Sequence, residues 1–175
     1  MNYWIIVTTP EDFQITRAKG FTIEALRSKQ RRKVQRVEPG DRILYYISGI
    51  RTFAATAIVT SHYFEDHTPI WNAVGHNDTT YRVHIKPNFV LDEKQYIDGY
   101  QVGPRLEYVR RWIPEEWHLA LQGNLHLAPK KDFLFLEGEM RKIKAKDRRP
   151  RSSRGPHSTD PTSNEDHNSS INNVV

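Results

Sequence analysis

Aromatic and basic side chains are interleaved through this chain of 175 residues, which has four Trp, eight Tyr and seven Phe among 26 Lys and Arg. Aromatic rings stack on nucleobases, a contact worth roughly 1–3 kcal/mol per base, and Lys and Arg bind phosphates. Residues 27–36 (RSKQRRKVQR) are the densest basic stretch, with six Lys or Arg and no acid. The combination indicates nucleic acid as a ligand, although a place in the hydrophobic core is the commoner fate of any one ring.

The net charge of +5 is unevenly distributed along the chain. Residues 1–140 hold 18 Lys and Arg against 17 Asp and Glu, whereas residues 141–175 hold eight against four. A strongly basic domain would indicate nucleic acid directly. Here the body of the protein has local basic clusters instead, which is a weaker indication of the same ligand.

The sequence lacks the residues that several kinds of catalytic and metal site require. There is no Cys, which excludes disulfides, thiolate zinc sites and a Cys nucleophile. Neither GxxxxGK[ST] nor GxGxxG occurs, and the spacings of the eight His match no metal-ligand pattern. We therefore expect no cofactor, no metal site and no catalytic constellation, which favours a binding protein over an enzyme.

The same composition predicts a cytoplasmic protein that does not associate with membranes. No apolar run approaches the roughly 20 residues that span a bilayer. The first residues, MNYWIIVTTP, have no basic region ahead of their apolar ones, as a signal peptide would. The absence of Cys is consistent with a reducing compartment.

Two elements at the N-terminus position the first polar residues that are candidates for binding a ligand. Tyr3 to Thr8 form an apolar, β-branched run bounded by a proline, which predicts a buried strand. Thr9 followed by Pro10 predicts a helix that begins at Pro10, with Thr9 as its cap, and ends near Arg17. Thr8 and Thr9 then lie at the end of the strand.

A predicted hairpin positions the next candidates. Residues 42–48 and 52–62 are β-rich and are joined by a short link, which predicts an antiparallel pair after the turn at residues 38–41. Side chains alternate between the faces of a strand, so Tyr45 belongs with two isoleucines on an apolar face. Tyr46 and Ser48 share the opposite face and are the candidates for a ligand.

The other elements complete an α+β fold. Residues 80–87 alternate, with Arg82 predicted on the polar face beside His84 and Lys86. Residues 22–26 suggest a helical turn, 91–109 several short pieces, 116–122 either strand or helix, and 129–143 a final helix. No βαβ alternation appears. We predict a small mixed, mostly antiparallel β-barrel of five or six strands with short helices outside, spanning residues 1–145, and a disordered basic then polar tail over 146–175.

Four motifs in order resemble the EVE domain family, a branch of the PUA-like superfamily related to the YTH readers of methylated RNA. They are MNYWI at the N-terminus, VEPGD followed by YYIS within residues 37–48, YRV followed by KP within 81–87, and WHLALQG at 117–123 ahead of an acid-bearing helix. Together they span residues 1–143. The resemblance implies a PUA-like barrel with a recessed, aromatic-lined pocket for a modified base flipped out of DNA or RNA.

By the same resemblance, the pocket residues can be assigned one by one. The residues implied for the base pocket are Trp4, Thr8, Thr9, Phe21, Tyr46, Ser48, Tyr81, Arg82 and Gln122. The basic stretch beside such a pocket would bind phosphates through Arg27, Lys29, Arg31, Arg32, Lys33 and Arg36.

Several of these residues have a structural alternative. Trp4 is equally explained as a buried core ring, Thr9 as a helix cap, Arg82 as an ion-pair partner, and the basic stretch as a solvated loop. Many relatives carry Trp-Gly where this chain has Gly20-Phe21-Thr22. Phe21 would then form a smaller aromatic wall.

Three functions remain as hypotheses. The first is a module that recognises a modified base in nucleic acid. The second is a nucleic-acid-processing enzyme component of a restriction or defence system, which would need a carboxylate or His in the pocket. The third is a sensor of free nucleosides, whose affinity would not depend on salt because no polymer counterions are released.

Overall fold

The computed structural model describes residues 1–27, 31–72 and 80–149 of the chain. Lys29 and the last 26 residues of the predicted tail lie outside the described residues. Helix α4 continues through Asp147, two residues past the end that we predicted for the folded unit, and the domain boundary itself stays a prediction.

Eight strands form one mixed sheet in the described part of the chain. They are β1 Tyr3–Thr8, β2 Ile23–Leu26, β3 Arg42–Ile47, β4 Thr52–Val59, β5 Phe64–Glu65, β6 Tyr81–Val90, β7 Ile97–Asp98 and β8 Leu125–Leu127. Their order is β2-β6-β4-β3-β1-β8, with β5 on β6 and β7 on β4. Only β1 and β3 pair in parallel among them; every other pair is antiparallel. The sheet curls into a half-barrel, and its pairing confirms the predicted mixed, mostly antiparallel architecture.

Helices pack outside this sheet. The α-helices are α1 Pro10–Ala18, α2 Arg31–Val34, α3 Gly99–Val102 and α4 Lys130–Asp147. The 3₁₀ helices include Glu93–Gln95, Gly103–Arg105, Glu107–Val109 and Pro114–Leu121. Thr9 caps α1 as predicted, because its hydroxyl accepts a hydrogen bond from the backbone N–H of Asp12. The final helix and the short pieces between residues 91 and 109 are also confirmed.

Two apolar clusters cover the two faces of β1 and β3. Trp4 and Tyr45 belong to one cluster, whereas Tyr46 belongs to the other, where it contacts Trp117 from the segment Pro114–Leu121. This is the alternation predicted for β3. Tyr45 is therefore a core residue, and Tyr46 faces the side on which the segment Pro114–Leu121 packs.

Three local predictions need correction. Residues 23–26 form strand β2 and not a helical turn, because they pair with β6. Arg82 was placed on the polar face of its strand, yet it is buried beneath Trp71 and pairs with Asp66. The sheet also has eight strands instead of five or six; two of them are only two residues long and escape any periodicity analysis.

Candidate functional site

A groove of about 300 Å³ opens where β1 ends. We call it the β1 groove, and it is lined by residues 7–9, Arg27, Ser48, Gly123 and Asn124. The parallel pairing of β1 with β3 brings Ser48 beside Thr8, since the N–H of Ser48 donates to the carbonyl of Thr8 at 2.9 Å. Three of the predicted pocket residues, Thr8, Thr9 and Ser48, are thus brought together.

Hydroxyl groups supply much of the polar lining of the β1 groove. Thr9 and Ser48 are exposed, while Thr8 is largely buried. The Ser48 hydroxyl donates to the carbonyl of Thr8, and the Thr8 hydroxyl to the carbonyl of Thr9, both over a long 3.3 Å. A hydroxyl both donates and accepts, so these side chains can exchange weak internal bonds for bonds to the edge of a ligand.

Arg27 is the basic side chain that lines the β1 groove. Its Nη2 lies 3.0 Å from Oδ2 of Asp12, and its backbone N–H donates to Oδ1 of Asn124 at 3.2 Å. Both contacts hold Arg27 at the end of β2. None of the groove-lining residues among those described carries a carboxylate. The lining therefore favours a neutral polar or anionic ligand.

Asn124 joins the two sides of the β1 groove. Besides accepting from Arg27, its side-chain amide donates to the carbonyl of Val7 at 3.1 Å, and its own carbonyl accepts from the N–H of Val7 at 2.7 Å. Asn124 is buried. It thereby fixes the end of β1 against the residue that follows β2.

Helix α2 places further basic side chains beside the β1 groove. Lys33 donates to the carbonyl of Leu125, the residue next to Asn124, at 2.9 Å. Arg31, Arg32 and Arg36 are exposed. Of the predicted phosphate contacts, Arg27 and Lys33 thus make bonds within the protein, and these three arginines are presented to solvent.

A second concavity of about 360 Å³ adjoins the first and shares Val7, Ser48 and Gly123 with it. We call it the Arg51 depression, and its other lining residues are Tyr46, Arg51, His118, Leu119, Leu121 and Gln122. Tyr46 and Gln122, two more of the predicted pocket residues, lie here. Burial raises the pKa of Tyr46 to about 12, against the lowering effect of Arg51, so its hydroxyl stays protonated at neutral pH.

The structure does not bring Trp4 and Phe21 to either concavity. Trp4 is buried, and its indole N–H donates to Oδ2 of Asp41 at 2.8 Å. Phe21 is buried against Phe13 and Tyr45, at ring-centroid distances of 5.6 and 5.7 Å. Both rings lie in the core, so the aromatic walls that the resemblance implied from them are not at the β1 groove.

Tyr81 and Arg82 also lie away from both concavities. Tyr81 pairs with Leu26 at the start of β6 and contacts the ring of Tyr63. Arg82 pairs with Asp66 at 3.1 Å and donates to the carbonyl of Thr68. Of the two alternatives given for Arg82, the structure shows the ion-pair partner.

Four residues of the site were missed from the sequence. They are Arg51 and His118 in the Arg51 depression and Gly123 and Asn124 in the β1 groove. Gly123 has a positive φ of 89°, and such a glycine before Asn is a turn signal that marks a possible site. His118 and Gly123 lie in the WHLALQG motif, which shows the resemblance but not that these residues line a concavity, and Arg51 carries no sequence signal.

The described residues contain no group of three or more His, Asp or Glu side chains able to hold a metal ion. Within the same ranges, no helix combines the length and apolar character that crossing a bilayer requires.

Comparison with known proteins identifies relatives of this chain. The family model described as EVE domain matches residues 2–106. No curated protein matches the sequence significantly.

Solved structures share the fold at low sequence identity. A YTH domain-containing protein, mmi1, solved as an RNA complex, has a TM-score of 0.60 at 13% identity, over 83% of this chain and 85% of that one. Rpa0253 from Rhodopseudomonas palustris has a TM-score of 0.54 at 19% identity, over 82% and 95%. A hypothetical protein from Leishmania major has a TM-score of 0.56 at 13% identity, over 82% and 97%.

Proposed function

The chain belongs to the EVE domain family, and we propose from that premise that it is a nucleic-acid-binding module. Its ligand is a modified base of DNA or RNA, flipped out of the polymer into the β1 groove. The observation that carries the proposal is the β1 groove itself. Its lining combines exposed hydroxyls and a fixed Arg27 with no carboxylate, and it lies beside the exposed Arg31 and Arg32 of α2 and Arg36 just after that helix. The YTH neighbour solved with RNA supports the same class of ligand.

The size and chemistry of the β1 groove suit a single base. Its volume lies at the low end of the roughly 300–1,000 Å³ usual for small-molecule sites. Thr9 and Ser48 in the groove offer hydrogen bonds to a base edge, and Gln122 and Tyr46 line the adjoining Arg51 depression. Extruding a base costs a few kcal/mol, which such contacts must offset.

Phosphate binding falls to the exposed side chains beside the β1 groove. Arg31, Arg32 and Arg36 are solvent-exposed, so they can approach a polymer without breaking internal bonds. Lys29, from the same basic stretch, lies outside the described residues, and its role stays a prediction. Binding, not catalysis, is the activity that we propose, because the EVE and YTH fold is that of a reader domain. The cytoplasmic location also stays a prediction.

A binding screen tests the proposal. The full chain is titrated against short single-stranded and duplex DNA and RNA oligomers, each with and without modified cytosine or adenine, at two salt concentrations. We expect affinity that falls with salt and is highest for one modified base. Salt-sensitive binding with no base preference would reduce the proposal to a basic surface. Salt-independent binding of free nucleosides would replace it with the sensor hypothesis.

Variants of Arg31 and Tyr46 test the phosphate contacts and the base contacts separately within the screen. Arg31→Glu is expected to weaken binding to all oligomers alike and to reduce the dependence of affinity on salt. Tyr46→Phe, which keeps the buried ring and removes only the hydroxyl that the Arg51 depression offers, is expected to reduce the base preference and leave the salt dependence unchanged. Equal salt dependence in the wild type and in Arg31→Glu would contradict the assigned role of α2.

A further inference from the structure

The Arg51 depression is lined by side chains that donate hydrogen bonds. Arg51, His118 and Gln122 stand around it with the hydroxyls of Tyr46 and Ser48. None of its lining residues among those described is acidic. A concavity with a guanidinium, an imidazole and several donors favours an anionic group, and phosphate is the anion that Arg binds best in such a setting.

Arg51 is held in place by its neighbours. Its backbone has a positive φ of 51°, a conformation that costs free energy for any residue other than Gly. Its carbonyl accepts from the N–H of Gly99 at 2.9 Å, and its Nη1 donates to the hydroxyl of Tyr100 at 2.6 Å. A guanidinium has five N–H donors, so the bond to Tyr100 leaves others for a ligand.

Glycine at position 99 is required for this arrangement. A Cβ added to Gly99 would lie 2.3 Å from the carbonyl oxygen of Arg51 and 2.5 Å from the ring of Trp117. Neither a backbone oxygen nor a fully buried indole can move far enough to relieve such a contact. The packing of β7 and α3 thus fixes the backbone at Arg51.

Tyr100 adds an exposed aromatic surface next to the Arg51 depression. Its side chain is 59% exposed, although large apolar rings are usually buried. The buried ring of Trp117 contacts it edge-on at 6.1 Å, and the Arg51 guanidinium lies 5.4 Å from its centroid. More than half of the Tyr100 side chain is open to solvent, and exposed aromatic rings are the surfaces on which single-stranded nucleic acids stack their bases.

We propose that the Arg51 depression and the ring of Tyr100 form a second nucleotide subsite, in which Arg51 and His118 bind the phosphate beside the recognised nucleotide and Tyr100 stacks the neighbouring base. The inference rests on the proposed function, because the first nucleotide occupies the adjoining β1 groove. The ligand is then a single-stranded segment of at least two nucleotides and not a free nucleoside.

Variants of Tyr100 test the stacking half of the subsite. The probes are fluorescein-labelled single-stranded RNA and DNA of about ten nucleotides, within the usual site sizes of single-strand binders, and a nucleoside monophosphate. Tyr100→Ala is expected to weaken oligomer binding about 5- to 100-fold, the equivalent of roughly 1–3 kcal/mol per stacked base. Binding of the monophosphate should be unchanged. Tyr100→Phe, which retains the ring, should bind oligomers nearly as well as the wild type.

Trp112→Ala is the matched control. Trp112 is also an exposed ring, at 42%, but it lines neither concavity. It should bind oligomers like the wild type. Equal affinities of Tyr100→Ala and Trp112→Ala would overturn the stacking role.

Arg51→Gln tests the phosphate half of the subsite. It is expected to lower the slope of log affinity against log salt by about one, since one phosphate contact is lost. An unchanged slope would overturn that role.

The two proposals fail in different ways. If Tyr100→Ala and Arg51→Gln bind oligomers as the wild type does, while Ser48→Tyr in the shared wall does not, the β1 groove stands and the second subsite is wrong. If Ser48→Tyr also binds normally, or if the wild type binds no nucleic acid, the proposed function is wrong and the second subsite with it.

Discussion

The interior around Tyr45 and the β1 groove use similar side chains in opposite ways. In the interior, Glu24 accepts hydrogen bonds from Tyr45 at 2.7 Å and from Thr16 at 3.3 Å, and Trp71 donates to Thr16 at 2.9 Å. Each of these polar groups has a partner within the protein. At the β1 groove, by contrast, Ser48 faces solvent and its hydroxyl makes only a long internal bond.

This contrast shows that residue type does not locate a ligand site in this fold. Trp4 and Phe21 have the aromatic character expected of a base pocket, but both are buried among other core residues. Whether a polar side chain already has a hydrogen-bond partner within the protein is the better guide to a ligand site. Trp4 uses its N–H on the buried Asp41 and has no donor left for a ligand.

The largest expected effect is the loss of stability in Trp4→Ala. The ring is fully buried and bonded to Asp41, so its removal leaves a cavity and a buried carboxylate with one bond fewer. Replacing a buried Trp by Ala typically costs about 3–5 kcal/mol. Urea unfolding measures the loss. Ser48→Ala, at the exposed β1 groove, should change stability by no more than about 0.5 kcal/mol. Equal losses of stability in Trp4→Ala and Ser48→Ala would contradict the contrast between the interior and the β1 groove.

The stability that the interior around Tyr45 contributes is also expected to depend on pH. Burial raises the pKa of Glu24 from its ordinary value of 4.5 to about 7, despite the lowering effect of its hydrogen bonds with Tyr45, Ala25 and Thr16. Between those two values the unfolded chain has lost the proton that the folded protein keeps. The contribution of Glu24 to stability is therefore unaffected below pH 4.5, falls as pH rises, and stays low above pH 7.

Glu24→Gln is expected to remove this pH dependence, because glutamine does not ionise. Relative to the variant, the wild type should lose roughly 3 kcal/mol of unfolding free energy between pH 4.5 and 7. Chemical unfolding across that range measures the difference. A Glu24→Gln curve parallel to that of the wild type would contradict a raised pKa of Glu24 in the folded protein.

A smaller effect is expected for Asn124→Ala at the wall of the β1 groove. The variant loses the bonds to the Val7 carbonyl and the Arg27 N–H, at a cost of about 1–2 kcal/mol. That cost corresponds to a Tm lower by about 2–8 °C. Asn124→Asp keeps the acceptor for the Arg27 N–H but sets a buried carboxylate oxygen against the Val7 carbonyl, so it should lose at least as much stability. Oligomer binding should weaken in Asn124→Ala because the Arg27 N–H loses its partner, and unchanged binding in that variant would exclude a positioning role for Asn124.

The smallest effect on stability is expected at α2. Arg31→Gln and Arg32→Gln remove exposed charges, so each should change stability by less than about 0.5 kcal/mol. Each should also lower the salt slope of oligomer binding by about one. Lys33→Gln differs, because Lys33 donates to the carbonyl of Leu125, and it should lose more stability than either arginine variant. A larger loss of stability in either arginine variant than in Lys33→Gln would contradict the structural role given to Lys33 and the solvent-facing role given to Arg31 and Arg32.

The elements that build the β1 groove were predictable because local patterns specify them. A β-branched run before Thr9-Pro10 gives β1 and the capped α1, and the alternation of β3 separates Tyr45 from Tyr46. Strand β2 was not predictable, since its sequence, IEAL, has residues that favour a helix and becomes a strand only by pairing with β6.

The contents of the site were harder to predict than its scaffold. Arg82 has the same parity along β6 as the exposed His84 and Lys86, and only the packing of Trp71 and Asp66 over it explains its burial. Arg51 and Asn124 reach the site from separate loops, so no spacing within the sequence joins them.

The most direct test of the account is to fill the β1 groove without disturbing the interior. Ser48 is exposed and lines both concavities, so Ser48→Tyr should block the site while the fold and Tm remain those of the wild type. Ile50→Tyr, at an exposed position on the same turn that lines neither concavity, is the matched control. In fluorescence anisotropy with single-stranded oligomers of about ten nucleotides, we predict that Ser48→Tyr loses binding and Ile50→Tyr keeps it. Equal affinities of the two variants would contradict the assignment of the β1 groove as the nucleic-acid site.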